Sequence, residues 1–222
     1  MSARSRVGIF GGTFNPIHLG HLRAAEEVVE ALGLERMVFV PSAKPPHKRA
    51  SAEDAIAPAA DRLDWVRIAT ADNPRFQVDP IEVEREGTSY SLDTLRLLSE
   101  QLPERPVFAI GHDAFREIDS WREPEELFHL AHFAVIARPP LAAGSLANWI
   151  PKCIRDHVDL ADDGQSARHR TAGTWIRRLE IRALDVSASD IRARLRSGRS
   201  VRYLVPGAVA EALQRSGAYA QT

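Results

Sequence analysis

Residues 7–21 read VGIFGGTFNPIHLGH, an apolar run that breaks into a glycine pair and leads to two histidines. The continuous apolar run at 7–10 predicts a short strand buried on both faces, as in a parallel sheet. Gly11 and Gly12 then predict a turn that lets a ligand approach the backbone. A helix follows, which Gly33 is predicted to end. Its apolar residues recur at helical spacing: Leu22, Ala25, Val28, Val29 and Leu32.

The two histidines, His18 and His21, fall at the predicted start of this helix. Imidazoles three residues apart on a helical turn can point the same way, beside free N–H groups and the positive end of the helix dipole. This arrangement favours hydrogen-bond donation to a polyphosphate. A pair of capping or metal-binding histidines has the same spacing and stays open as an alternative.

The composition excludes several classes of protein. With 222 residues, of which 44% are apolar, the chain can bury a substantial core, and one domain is the simplest expectation. A formal net charge of −1 gives no global field for nucleic acid or for an anionic membrane. No apolar run has membrane-spanning length and no signal-peptide core precedes the first strand, so we expect a cytoplasmic protein. The single cysteine, Cys153, excludes an intramolecular disulfide and a multi-cysteine zinc site.

A lysine-containing loop follows a second predicted buried strand, at 37–40. Residues 42–49 read SAKPPHKR, in which two prolines stiffen a segment carrying Lys44 and Lys48. Ligands gather beyond the carboxyl ends of strands in an open α/β sheet, so the position favours phosphate binding by these lysines. A solvated surface loop is the alternative.

A hydroxyl-rich loop, Gly87-Thr88-Ser89-Tyr90-Ser91, comes later in the chain. A linker at 51–57, an amphipathic helix around Trp65, which we expect in the core, and an alternating strand at 76–83 precede it. A leucine-rich helix follows it. Ser89 or Ser91 either caps that helix or helps its free N–H groups bind a carboxylate or phosphate.

A third polar loop follows the buried strand predicted at 107–110. Gly111-His112-Asp113 repeats the order of strand, glycine and polar residue. Asp113 suits the ribose or amine groups of a nucleotide, or else caps the next helix. Trp121 either stacks on a flat heterocycle or fills the core.

The C-terminal part begins with a strand at 132–137 that Arg138-Pro139-Pro140 ends. Residues 141–178 lack periodicity and are interpreted as an insertion or lid within a single domain over 1–222. His157 and His169 have no ligand-spaced partners, so we predict no protein metal site. A last strand is predicted at 179–184, and a helix at about 207–215.

The stretch Asp185-Val186-Ser187-Ala188-Ser189-Asp190-Ile191-Arg192 leads into another helix, which Gly198 is predicted to end. Ser187 and Asp190 have capping-box spacing, so a plain N-terminal cap is one interpretation. Two hydroxyls, free helix-start amides and Arg192 also form an anion cradle suited to the β- and γ-phosphates of ATP.

The alternation of strands and helices predicts an α/β fold: a doubly wound, mostly parallel, Rossmann-like sheet with a small C-terminal helical part. Ligand is then expected over the carboxyl ends of the first, second, fourth and last strands.

Two motifs carry a family resemblance. Residues 11–21, GGTFNPIHLGH, resemble the signature of the nucleotidyltransferase superfamily, whose relatives include the class I aminoacyl-tRNA synthetases. Residues 186–192 resemble its second signature, Ile-Ser-Ser-Thr-x-Ile-Arg, with Val186 and Ser189 as departures. Nearly the whole chain resembles the bacterial nicotinate-nucleotide adenylyltransferase family. Further motifs carry this resemblance: Pro-Pro-His-Lys, Gly-Thr-Ser-Tyr-Ser, Gly-x-Asp, Trp121, Arg138-Pro139 and Leu-Val-Pro. That family usually has glycine where this chain has Pro140.

The resemblance implies the roles of the site residues. His18, His21, Lys44 and Arg192 would be catalytic and serve the phosphates. Two further groups are implied: for ATP and its phosphates Gly11, Gly12, Thr13, Phe14, Lys48, Ser187, Ser189 and Ile191, and for the nucleotide and pyridine Ser89, Tyr90, Ser91, Gly111, Asp113, Trp121 and Arg138.

The resemblance also implies the reaction: adenylyl transfer from ATP to nicotinate mononucleotide in NAD biosynthesis, with Mg²⁺ held mainly through the ATP phosphates. We expect no nucleic-acid or membrane partner, and a monomer or small homo-oligomer. Another superfamily activity, such as pantetheine-phosphate adenylyltransferase, is the first alternative. A nucleotide-binding regulator without catalysis is the second.

Overall fold

A computed structural model of the chain describes residues 6–45, 56–137, 144–182 and 184–219. The strands are β1 (Val7–Gly12), β2 (Arg36–Pro41), β3 (Phe76–Val78), β4 (Val107–Gly111), β5 (His132–Ala137), β6 (Val158–Leu160), β7 (Ser166–His169) and β8 (Trp175–Glu180). The α-helices are α1 (Leu19–Leu32), α2 (Ala59–Thr70), α3 (Ile81–Glu84), α4 (Ser91–Gln101), α5 (His112–Arg116), α6 (Pro124–Leu130), α7 (Ala188–Arg196) and α8 (Gly207–Ser216). Short 3-10 helices lie at Ile118–Ser120, Leu146–Asn148 and Lys152–His157.

Across the described residues the strands form one eight-stranded sheet in the order β3-β2-β1-β4-β5-β8-β7-β6. The pairs β1·β4, β4·β5 and β5·β8 are parallel, whereas β8·β7 and β7·β6 are antiparallel. The register pairs Gly8 with Val107, and Val107 with His132. The prediction of an α/β fold with a mostly parallel sheet is confirmed.

Two compact units divide the chain. The first takes in the described parts of 1–11, 24–37 and 90–183, and the second those of 12–23, 38–89 and 184–222. β4 and β5 are almost wholly buried in the first unit, as strands covered on both faces must be. Its core includes Phe115, Phe128 and Phe133, and the rings of Phe128 and Phe133 stack 4.4 Å apart.

In the second unit, α2 packs against α8 and β3. Trp65 on α2 is buried, which confirms its predicted core role, and its ring lies 6.0 Å from that of Tyr219. Most of the predicted linker at 51–57 lies outside the described residues. Ala57, at its end, is buried.

Two predicted strands are wrong in extent. β3 ends at Val78, and α3 occupies 81–84 in place of the strand predicted there. Pro80 cannot donate to a strand ladder, and the Asp79 carboxylate accepts a hydrogen bond from the Ile81 N–H at 2.9 Å, which turns the chain. The last strand is β8, at 175–180, several residues earlier than the predicted 179–184.

The described part of 141–178 is more regular than its sequence indicates. It contains two 3-10 helices, β6, β7 and the start of β8, and these strands extend the sheet. The interpretation of this segment as an insertion or lid, and of 1–222 as a single domain, stays a prediction.

Candidate active site

The glycine pair lies at the end of β1, so the predicted turn at Gly11 and Gly12 is wrong. Positive φ occurs instead at Phe14, at +46°. A Cβ on Gly12 would lie 3.0 Å from the Phe14 ring, so this glycine makes room for the buried aromatic. The Phe14 ring in turn meets that of His21 edge-on, with centroids 5.1 Å apart. The Phe14 side chain is therefore part of the support of the histidines.

The histidine pair lies at the start of α1, as predicted. The two rings stack with centroids 3.7 Å apart, and His18 is only 3% exposed. The His18 N–H donates to His21 Nδ1 at 3.3 Å, so the capping alternative is correct for the His21 ring. Because Nδ1 accepts this bond, neutral His21 carries its proton on Nε2 and is a hydrogen-bond donor there.

The glycine between the histidines has a steric role. A Cβ on Gly20 would lie 3.0 Å from His18 Nδ1, tighter than about nine in ten real contacts of a Cβ, so the His18 ring would have to shift. Gly20 therefore lets the two imidazoles stack.

Arg192 is linked to the loop that carries the histidines. Its side chain is 8% exposed, and Nη1 donates to the Asn15 carbonyl at 3.0 Å. The Asn15 side-chain oxygen accepts hydrogen bonds from the Ala57 N–H and the Tyr219 hydroxyl. Burial raises the pKa of Tyr219, which keeps this hydroxyl protonated. A buried network thus fixes the loop that Arg192 contacts.

The start of α7 confirms the predicted cap. Ser187 is the N-cap residue, and its Oγ accepts a hydrogen bond from the Asp190 N–H at 3.2 Å. The Ser187 and Ser189 hydroxyls lie 3.1 Å apart and both residues are exposed. Ile191 is fully buried and its N–H donates to the Ser187 carbonyl, which does not favour the phosphate contact predicted for this residue.

The loop after β2 presents Lys44 as an exposed residue. Ser89 is buried against it: Ser89 Oγ accepts from the Ala43 and Lys44 N–H groups at 2.9 and 3.2 Å. The N-cap of α4 is Tyr90, so the idea that Ser89 or Ser91 caps this helix is wrong. Lys48 lies outside the described residues.

Arg62 is the residue that sequence reasoning missed. It is 1% exposed on α2, and its guanidinium donates to the carbonyls of Thr13 and Ser42, both at 2.6 Å, and of Ala43 and Ala57, at 3.0 and 2.9 Å. Desolvation lowers its pKa from the usual value. The available signal was a charged residue within the apolar stripe of an amphipathic helix.

In the first unit, Gly111 ends β4 and is the N-cap residue of α5, so the capping alternative for Asp113 is wrong. The Asp113 side chain is 91% exposed. Its neighbour His112 is buried against Trp149, with ring centroids 4.1 Å apart, and desolvation lowers the His112 pKa. Asp113 is thus an accessible acceptor directly after the buried His112, whose ring contacts that of Trp149.

Trp121 is partly exposed and does not belong to the buried core. The alternative that it fills the core is therefore wrong. The Arg122 guanidinium lies 5.1 Å from the centre of the Tyr90 ring and 3.5 Å from the Asp93 carboxylate. Ser91 is the first residue of α4. Arg138 lies outside the described residues. The structure thus groups His18, His21, Lys44, Ser187, Ser189 and Arg192 in the second unit, and Tyr90, Ser91, Gly111, Asp113 and Trp121 in the first.

Among the residues that the structure describes, no group of three or more His, Cys, Asp or Glu side chains is placed to hold a metal ion. Within the same ranges, no helix has the length and apolarity that crossing a membrane needs.

Residues 9–194 match the model of the cytidylyltransferase-like family. The chain is 42% identical over 215 residues to a protein of Citrifermentans bemidjiense named probable nicotinate-nucleotide adenylyltransferase, covering 96% of this chain and 98% of the relative. A protein of Geobacter sulfurreducens with the same name is 41% identical over 216 residues, covering 97% and 98%.

Among solved structures, the Plasmodium falciparum nicotinic acid mononucleotide adenylyltransferase complexed with NaAD superposes with a TM-score of 0.70 at 16% identity, covering 97% of this chain and 98% of that one. A Vibrio parahaemolyticus protein described as a putative nicotinate-nucleotide adenylyltransferase gives 0.58 at 18% identity, covering 98% and 97%. At these identities the likeness shows the fold.

Proposed function

We propose a catalytic mechanism for this chain, which belongs to the cytidylyltransferase-like family and, within that family, to the nicotinate-nucleotide adenylyltransferases. It is a nucleotidyltransferase that transfers the adenylyl group of ATP to nicotinate mononucleotide, giving the deamido dinucleotide and pyrophosphate in NAD biosynthesis. The roles of its residues are our proposal. The single observation that carries it is the stacked pair formed by the buried His18 and the partly exposed His21, on the loop that Arg192 contacts through the Asn15 carbonyl.

The reaction we propose is a direct in-line displacement. An oxygen of the 5′-phosphate of nicotinate mononucleotide attacks the α-phosphorus of ATP, while the bond from that phosphorus to the bridging oxygen of the β-phosphate breaks. The electron pair of the broken bond leaves with pyrophosphate. The nucleophile is already anionic, so the reaction needs no general base and no covalent enzyme intermediate. Catalysis rests on positioning and charge stabilisation.

The histidines act as hydrogen-bond donors to the α-phosphate. His21 has its Nδ1 engaged by the His18 N–H, so its Nε2–H is directed away from that backbone contact. Stacking against His18 and edge contact with Phe14 hold the ring in place before ATP binds. Donors fixed in this way stabilise charge that develops in the transition state without reorganisation.

Arg192 and Lys44 serve the leaving phosphates. Arg192 is anchored through one terminal nitrogen on Asn15, and its fixed cation suits the β- and γ-phosphates. The exposed Lys44 ammonium adds a mobile positive charge. The Ser189 hydroxyl, beside the capped start of α7, adds a donor at the positive end of that helix.

We propose that the divalent cation is Mg²⁺, bound mainly through the ATP phosphates and water. Mg²⁺ is usually bound by substrate phosphates and water with few protein ligands. His18, His21 and Arg192 are hydrogen-bond donors or cations, so they would contact the phosphates and leave the cation to phosphate oxygens and water. Bound there, it would neutralise part of the triphosphate charge. We also propose a cytoplasmic enzyme, since both substrates are phosphate esters that cells retain inside the membrane.

For the acceptor, we propose that Trp121 stacks on the pyridine ring and that the first N–H groups of α4, at Tyr90 and Ser91, bind its carboxylate. Asp113, exposed beside Gly111, accepts hydrogen bonds from ribose hydroxyls. All five residues lie in one unit.

Pyrophosphate release with ATP and a panel of phosphorylated acceptors tests this proposal. We expect nicotinate mononucleotide to be the best acceptor, nicotinamide mononucleotide to be poorer, and phosphopantetheine to be inactive. Efficient use of phosphopantetheine, with no dinucleotide formed from the pyridine nucleotides, would assign the chain to the other acceptor class.

A further inference from the structure

Two successive peptide groups of the Lys44 loop are bonded on both sides. The carbonyls of Ser42 and Ala43 accept hydrogen bonds from the Arg62 guanidinium at 2.6 and 3.0 Å. The N–H groups on the opposite side of the same peptides, those of Ala43 and Lys44, donate to Ser89 Oγ at 2.9 and 3.2 Å. Since the C=O and N–H of a trans peptide point in opposite directions, Arg62 and Ser89 hold this segment between them.

A third bond completes the contact on the Ser89 side. The Ser89 N–H donates to the Lys44 carbonyl at 3.1 Å, so this one residue bonds both polar backbone groups of Lys44. The Lys44 backbone is therefore fixed at its N–H and at its C=O, although its side chain is exposed.

Arg62 links this segment to the histidine loop. Its guanidinium also donates to the Thr13 carbonyl at 2.6 Å. Thr13 directly follows the end of β1 at Gly12 and begins the loop that leads to His18. A planar guanidinium offers five N–H donors in a fixed fork, which is what several surrounding carbonyls require. A lysine ammonium is a single point of donation and cannot reach all of them.

We propose that Arg62 and Ser89 are positioning residues for the transfer reaction: they fix the Lys44 backbone so that its ammonium reaches the phosphates from one direction. This inference rests on the role proposed for Lys44. It gives Ser89 a task different from the pyridine contact implied by resemblance, because its Oγ and N–H are directed to the Lys44 loop. Misplacement of a catalytic group by about 1 Å can cost about a hundredfold in rate, so loss of these bonds should be visible in kcat.

A double-mutant cycle tests the proposal. In the enzyme with Lys44 intact, Ser89→Ala should lower kcat by about tenfold or more and change the KM for nicotinate mononucleotide less than threefold. In a Lys44→Ala background, the same substitution should cost less than about twofold, because the group it positions is gone. Ser99→Ala is the matched control, since this serine lies on α4 and its hydroxyl donates to the carbonyls of Leu95 on α4 and Leu130 on α6, not to the Lys44 loop.

The other side of the segment is tested with Arg62→Lys, which keeps the charge and loses the fork. We expect Arg62→Lys to lower kcat in the enzyme with Lys44 intact and to have little further effect on kcat in the Lys44→Ala background. Arg67→Lys is its control, because Arg67 lies on the same helix and pairs with Asp64 at the surface. If Arg62→Lys does not fold, the Ser89 cycle alone decides.

A second measurement is independent of activity. Hydrogen exchange of the Ala43 and Lys44 amides in the unliganded protein should accelerate at least tenfold in Ser89→Ala and stay unchanged in Ser99→Ala. This readout still reports on the two bonds if the wild-type protein makes no dinucleotide, an outcome that would defeat the proposed function.

Five results would overturn the inference, of which the first four concern kcat and amide exchange. These are unchanged kcat in Ser89→Ala, an equal loss with and without Lys44, native kcat in Lys44→Ala, and unchanged exchange of both amides. A loss confined to the KM for nicotinate mononucleotide would also overturn it, and would return Ser89 to the acceptor site.

Discussion

The histidine pair shows how single atoms define the chemistry of this site. Gly20 has no Cβ, so the rings of His18 and His21 can stack. The His18 N–H then occupies His21 Nδ1, which fixes the tautomer that donates from Nε2. Spacing in the sequence predicted that the imidazoles share a direction. The backbone bond explains why one of them is a donor.

The choice between acid and amide acceptors is a prediction at the same scale. Tyr90, the N-cap residue of α4, makes no side-chain cap, so helix-start N–H groups remain for a carboxylate. An amide NH₂ facing these donors would lose a hydrogen bond, at a cost of roughly 1–3 kcal/mol. We therefore expect nicotinate mononucleotide to be preferred over nicotinamide mononucleotide by at least about tenfold in kcat/KM.

Trp121→Ala separates stacking from this selection. Stacking involves the ring and not its substituent, so the variant should weaken both nucleotides comparably and keep the acid preference. Steady-state kinetics on both acceptors is the measurement. Equal kcat/KM for the two nucleotides in the unmodified enzyme would contradict selection by helix-start N–H donors. Loss of the preference for the acid in Trp121→Ala would show that the aromatic ring selects the acceptor.

At the scale of elements, α7 positions Ser189 and Arg192 by starting at a defined residue. Its N-cap bond joins Ser187 Oγ to the Asp190 N–H. Ser187→Ala should lower the free energy of unfolding by about 1 kcal/mol and raise the KM for ATP, because the first turn frays. Ser197→Ala, at the other end of α7, serves as the control: its hydroxyl donates to the Ala193 and Arg194 carbonyls of that helix and accepts from Arg199 Nε, away from the N-cap. Denaturant unfolding and ATP kinetics check both variants, and equal effects of the two would contradict the role of the cap.

Elements with strong local patterns were predictable. β1, α1, β2, α2, β4, β5, α7 and α8 follow buried apolar runs or helical spacing that needs no tertiary information. β8 was misplaced because Arg177, Arg178 and Glu180 hide its pattern, and its start is fixed by a distant contact. The Trp175 N–H donates to His132 Nδ1 at 3.1 Å, and the two rings stack 4.7 Å apart.

The site residues divide in the same way. Motifs predict roles for His18, His21, Lys44 and Arg192, because their residue types and spacing suit phosphate chemistry. Arg62 and the true partners of Ser89 depend on hydrogen bonds between residues up to 49 positions apart. No local pattern encodes such contacts, so they could be found only in the folded chain.

At the scale of the whole molecule, histidines in desolvated surroundings make stability sensitive to acid. Desolvation lowers the pKa of His132 to about 4, and four arginines add to the effect: Arg6, Arg105, Arg177 and Arg168. The unfolded chain, with an ordinary histidine pKa of about 6.5, takes up the proton first. Stability is therefore complete above about pH 6.5 and is lost as the pH falls towards 4. Desolvation also lowers the pKa of His169 and His112, which act in the same direction.

We expect the free energy of unfolding to fall by on the order of 1–3 kcal/mol between pH 7 and pH 4.5. His132→Asn should flatten this dependence, since an amide oxygen can accept the Trp175 N–H without titrating. Denaturant unfolding at several pH values checks the prediction. An identical slope in the variant would show that other groups cause the acid sensitivity.

The most direct test of the central claim is the kcat of dinucleotide formation from ATP and nicotinate mononucleotide in His18→Ala and His21→Ala. Each change removes one preorganised donor, so we predict a loss of roughly 10² to 10³ in kcat with the unfolding transition retained. His157→Ala is the matched control, because the exposed His157 ring pairs with Glu125 and both residues lie in the first unit, whereas His18 and His21 lie in the second. Near-native turnover in both His18→Ala and His21→Ala would contradict the account.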